Sequence, residues 1–202
     1  FGGFEFGYIF VSAQRRRGEM EKIMKQYDFR FDTELIKSFI GNTFTKYKHA
    51  DFIIADSVTG ILGFEINQQV FELVNDYEAL DYFGLDGEAT ILSISQSNWT
   101  EVEPRFNNDI KEIYINEPVQ KVVLVNDHTF SENYDMWETK AIVFYFDGFE
   151  LCFEKQDCWF SMEIVIHKGH DTLNVIDDGK DILNDFDRST SISIERTIVE
   201  IM

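Results

Sequence analysis

Ala141-Ile142-Val143-Phe144-Tyr145-Phe146, Asp147-Gly148, Phe149-Glu150-Leu151-Cys152-Phe153-Glu154 is the stretch on which the fold turns. Two apolar, β-branched and aromatic runs flank an Asp-Gly pair, and glycine supplies the positive φ that a tight hairpin turn requires. The segment predicts an antiparallel hairpin, with Phe144, Phe146, Phe149 and Phe153 assigned to the core.

Outward from that hairpin most of the chain has strand character. Strands are expected at Phe44 to Lys48, Phe52 to Ala55, Ile61 to Ile66, Val70 to Val74, Ala89 to Ile94, Ile110 to Ile115, Val119 to Val125, Trp159 to His167 and Ser191 to Ile201. Helices are few. Asp32 can cap a short one that stops at Gly41, and Asn75 with Glu78 reads as a capping box for a second over Asn75 to Gly84. A third is expected from Asp178 to Phe186. The fold class is therefore α+β, rich in antiparallel sheet, with a few short helices.

Two related halves are one reading of a faint internal echo. Thr59, Phe64, Ile66, Phe71 and Leu73 stand eighty positions before Thr139, Phe144, Phe146, Leu151 and Phe153. The expected organisation is an amino-terminal α+β half over residues 20–96 and an acidic carboxy-terminal half over 109–202. Residues 1–19 read as a non-native upstream extension. Their three arginines follow the apolar run instead of preceding it, unlike a secretory signal, and Arg15-Arg16-Arg17-Gly18-Glu19 before Met20 resembles a translated purine-rich ribosome-binding site.

The chain has 202 residues, 37 Asp and Glu against 18 Lys and Arg, and a net charge of -19. A hydrophobic fraction of 44% separates it from disordered acidic chains, which have too little apolar surface to fold. Such charge repels phosphate backbones, so direct nucleic-acid binding is not expected, while basic protein surfaces attract it. Only Cys152 and Cys158 occur, which fits reduced thiols in a cytoplasmic protein. No apolar run approaches the roughly 18 residues of a membrane span, and no membrane partner is expected.

Chemistry-bearing motifs are sparse. No glycine-rich phosphate loop or nucleophile elbow is present. His167 and His170 supply at most half of a tetrahedral zinc site, and neither a metal nor a cofactor is assigned. The one enzymatic pattern is Asp127 with Glu138-Thr139-Lys140, the letters of a Mg²⁺-dependent nuclease: two carboxylates hold the metal and the lysine steadies water or phosphate. Glu138 and Lys140 are expected at the entrance of their strand.

The other pattern is a charge run. From Asp127 to Asp187 there are fifteen acids and four bases. Asp178, Asp181 and Asp185 share one face of the expected last helix, at a spacing comparable to that of backbone phosphates. With Asp177, Asp187 and Trp137, the last placed in a polar loop, they form the candidate partner-binding set, and no catalytic residue is assigned. The expectation is an acidic, non-enzymatic inhibitor of the anti-CRISPR, anti-restriction or immunity kind, its partner a basic nucleic-acid-binding enzyme. The alternatives are the nuclease and a generic protein-interaction module.

Overall fold

A computed structural model describes residues 25–50, 58–82, 85–106, 109–131, 134–156, 161–178 and 192–202. Along the chain run β1 (Lys25–Phe29), α1 (Thr33–Lys37), β2 (Thr43–Ala50), β3 (Val58–Thr59), β4 (Ile61–Ile66), β5 (Gln69–Tyr82), β6 (Leu85–Ser97) and α2 (Trp99–Val102). There follow β7 (Ile110–Pro118), β8 (Lys121–Ser131), β9 (Tyr134–Phe146), β10 (Phe149–Lys155), β11 (Ile164–Gly169) and β12 (Ser193–Ile201). The expected strand Phe52 to Ala55, the expected helix beyond Asp178 and residues 1–19 lie outside the described residues.

The deciding hairpin forms as expected. Phe146 pairs with Phe149 around Asp147-Gly148, with Gly148 at φ 82°. A second hairpin, β4–β5, turns on Asn67-Gln68, both at positive φ, as a two-residue turn matched to the strand twist requires. Asp32 caps α1 by accepting from the Glu34 amide at 2.9 Å, and Gly41 takes φ 76°, although the helix is shorter than its flanking signals.

Two sheets result among the described residues. One has seven strands in the order β12-β8-β9-β10-β11-β3, with β1 joining β9 in parallel, and the other has five in the order β6-β5-β4-β2-β7. They are almost wholly antiparallel. β7, from the carboxy-terminal part of the chain, pairs with β2, while β1 and β3 join the sheet built from residues beyond 120.

The sheets meet through aromatic rings. Phe64 lies 5.5 Å from Phe44, 5.5 Å from Phe71 and 5.7 Å from Phe144, measured between ring centroids. Phe153, Phe39, Leu62, Leu73 and Ile142 complete this buried layer, and Phe149 packs half-buried against it. On the five-stranded sheet Trp99 covers Gly63 so closely that a Cβ there would stand 2.7 Å from the indole.

The expected second helix is overturned. Asn75–Tyr82 continues β5, held to β6 by uninterrupted pairing from Val70↔Ser97 to Tyr82↔Leu85. The capping-box letters are outweighed because Leu80 and Ala89 gain a buried cluster with Tyr134 and Met136, contacts a short solvated helix lacks. Trp137 lies within β9 and not in a loop, and Glu138 and Lys140 sit mid-strand, since β9 begins at Tyr134. β11 starts at Ile164, later than the Trp159 expected.

Candidate functional site

β9 changes neighbours along one of its sides. β1 accompanies Tyr134–Glu138, β10 accompanies Ala141–Phe146, and the two strands end facing Thr139 and Lys140. On the other side the register with β8 shifts between Val125 and Asn126, so β9 carries an extra residue at this point, a β-bulge. Backbone groups that no ladder satisfies meet here, and polar side chains take their place. Thr139 Oγ1 accepts from the Phe31 amide and donates to Asn126 Oδ1, both at 2.9 Å, and the Lys140 ammonium donates to the Lys155 carbonyl.

Around this split gathers a buried ionic network. Arg196, Asp127 and Glu138 are successive partners across β12, β8 and β9. Arg196 grips Asp127 with Nε at 2.7 Å and Nη2 at 2.8 Å. Lys155, 0% exposed, donates from Nζ to Glu138 Oε2 and to the Thr90 carbonyl of β6, both at 2.5 Å. Lys140 stands 3.3 Å from Glu154, whose other oxygen lies 2.8 Å from His167 Nε2.

Burial and pairing act oppositely on the two glutamates. Burial pushes the Glu138 carboxyl above the usual carboxylate range, against the pull of Lys155 and Lys140. Burial raises Glu154 too, but the hydrogen bond from His167, the Lys140 charge and the Asp177 amide together hold it below that range. Burial also pushes the Cys152 thiol well up, away from nucleophilic thiolate character.

Glu154 has a second task. Asp171–Asp178 crosses the seven-stranded sheet as a strap, and Ile176 is buried among Val123, Val125, Val143 and Cys152. Glu150 accepts from the amide and hydroxyl of Thr172, Glu154 Oε1 accepts from the Asp177 amide at 2.9 Å, and Arg196 donates to the Asp177 carbonyl at 2.6 Å. A carboxyl held below its unfolded value contributes stability that is present above that value and lost as pH falls through the folded one. As pH falls past the ordinary Glu value of about 4.3 and on through the lower folded one, amide-exchange protection at Asp177 should therefore be lost in the wild type, whereas Glu154→Gln should show weakened protection already at neutral pH. Equal protection in both proteins at neutral pH would remove Glu154 from this role.

The residues singled out from the sequence fall in three places. Asp127, Glu138 and Lys140 come together, each buried and each already bonded to a charge of opposite sign or to a backbone carbonyl. Asp177 and Asp178 are exposed at the end of the strap, and Asp181, Asp185 and Asp187 lie outside the described residues. Trp137 is half-buried, stacked on His128 at 4.1 Å with Arg30 4.6 Å from its ring centroid, while Asp28 grips Arg30 and Asp135 bonds His128.

Cys152 stands opposite His167 in the β10–β11 register, but among the described residues no group of three or more His, Cys, Asp or Glu side chains is placed to hold a metal ion. Lys155, Glu154 and Arg196 were not found by sequence reasoning. A signal existed for Lys155, since strand alternation from Leu151 and Phe153 carries position 155 onto the same buried face.

No family model, curated protein or solved structure matches this chain. Among the described residues no helix is long and apolar enough to cross a membrane.

Proposed function

We propose that this protein works by binding, as an acidic, non-enzymatic inhibitor that covers the basic surface of a nucleic-acid-processing protein in the cytoplasm. One observation carries the reading: among the described residues fourteen acids are exposed, against four bases, Arg30, Lys37, Arg105 and Lys168. Folding makes the surface more one-sided than the composition: Lys140 and Lys155 are buried and Lys25, Lys46, Lys48, Lys111, Lys121 and Arg196 half-buried, whereas among the described acids Asp127, Glu138 and Glu154 are buried and Asp76, Glu78, Asp147, Asp171, Asp177, Asp178 and Glu195 stay in solvent. A surface of one sign steers and holds a partner of the other. Anti-CRISPR, anti-restriction and immunity proteins are the classes to which this reading points.

The test is capture at low salt from a bacterial lysate, elution by rising salt, and identification of what elutes. A basic nuclease or other nucleic-acid enzyme should be recovered, with affinity falling about tenfold or more as the Debye length shrinks below about 10 Å, and Asp177→Asn with Asp178→Asn should weaken it further. Binding indifferent to salt would sink the reading. The facing positions of Asp127 and Glu138, with Lys140 beside them, keep Mg²⁺-dependent cleavage as the second arm. If labelled DNA or RNA is cut with Mg²⁺ and Lys140→Ala abolishes the cutting while the protein stays folded, the nuclease reading replaces inhibition.

The proposed scaffold is a duplicated one. Supporting this, the β4–β5 and β9–β10 hairpins share their registers at the eighty-residue offset, with Phe64↔Phe71 matching Phe144↔Leu151 and Ile66↔Gln69 matching Phe146↔Phe149.

A further inference from the structure

We propose that β12 is a dimerisation edge, along which two copies of the chain pair antiparallel about a two-fold axis at Ile198 and join their seven-stranded sheets into one. Among the described residues β12 pairs only with β8, and its nine residues do so in unbroken register from Ser193↔Phe130 to Ile201↔Val122. Proteins protect exposed strand edges with charged side chains, proline, bulges or very short strands. β7, an edge of the other sheet, carries such devices: Pro118, Asn116 at φ 55° and a register shift against β2. β3 has two residues. β12 has neither proline nor bulge and is largely β-branched, and of its charges, Glu195, Arg196 and Glu200, the last two have opposite signs on one face.

The occupant is a second copy because the strand complements itself. An antiparallel partner must set residues of one face opposite each other. Centred on Ile198, the pairing sets Ile198 on Ile198, Arg196 on Glu200 and Ile194 on Met202. Ile198 is 49% and Met202 80% exposed, large apolar side chains that the isolated chain leaves in water. Arg196 spends Nε and Nη2 on Asp127 and Asp177, leaving Nη1 for a carboxylate, and Glu200 is half-exposed with a loose contact of 3.4 Å to Lys121. Opposite charges facing each other across strands stabilise the pairing. Centring on Arg196 instead would oppose two like charges.

The dimer's response to salt distinguishes it from binding of a basic partner. Two chains of net charge -19 repel each other, so added salt should tighten the dimer while it loosens a basic partner. Light scattering coupled to size exclusion, on the full chain at low and high salt, should give twice the chain mass, most completely at high salt. Ile198→Lys should return it to the mass of one chain with an unchanged circular-dichroism spectrum. Independently, Ile198→Cys should form a disulfide-linked dimer on mild oxidation and Ser193→Cys should not, because in this register the two copies of position 193 stand ten residues apart along the strands, about 33 Å, beyond the reach of a disulfide. A single-chain mass at both salts overturns the proposal. So does a dimer that survives Ile198→Lys, or equal cross-linking at positions 193 and 198.

Discussion

Glu138→Ala is expected to destabilise the fold by about 3–5 kcal/mol, the cost of leaving one member of a buried ion pair uncompensated. The ammonium of Lys155 is out of contact with solvent, and without Glu138 the Thr90 carbonyl is the one acceptor it keeps among the described residues. Urea unfolding of wild type and variant measures the difference directly. Replacing the pair together, Glu138→Leu with Lys155→Met, should recover most of the loss, because two well-packed apolar side chains avoid the desolvation penalty that the ion pair bears. The exposed Arg30–Asp28 pair is the control: Asp28→Ala should cost no more than about 1 kcal/mol, since solvent screens that attraction. A Glu138→Ala cost as small as the control's would mean that water reaches Lys155, and the network would then be a solvated cluster.

Phe64→Ala should be as damaging, at about 3–5 kcal/mol, through lost burial and the cavity left behind. Its ring is fully buried and touches rings of both sheets, with centroids 5.9 Å from Phe39 and 6.1 Å from Phe153 besides the nearer Phe44, Phe71 and Phe144. These neighbours are anchored on the turn after α1 and on β2, β5, β9 and β10, so collapse into the cavity would require both sheets to move. Phe149→Ala, at a half-buried position beside the Asp147-Gly148 turn, should cost clearly less. Equal unfolding midpoints for the two variants would show that the layer between the sheets does not hold them together.

The inhibitor reading and the dimer edge occupy different parts of the molecule. The first uses exposed acids such as Asp177 and Asp178, and the second uses backbone and side chains of β12. They meet at Arg196, which holds the strap through the Asp177 carbonyl while its strand forms the sheet edge.

Local signals determined what each segment could become. Asp147-Gly148 between two apolar runs specifies a hairpin wherever it occurs, because the turn geometry and the period of two involve only neighbouring residues. Asp32 before α1 and Gly41 beyond it were legible for the same reason. The -19 charge was legible as a sum, but not its disposition, since burying Lys140 and Lys155 depends on which strands enclose them. Asn75–Tyr82 carries helix-start letters, and only the facing β6 made it a strand. Asp127, Glu138 and Lys140 could be picked out by type. That Arg196 would take Asp127, that Lys155 would reach Glu138, and that β1 and β10 would end against the same stretch of β9 was decided by register between strands far apart in the chain. A strand's alternation states which of its faces is apolar and leaves its partner open, so the partner, and with it every cross-strand charge pair, belongs to the tertiary structure.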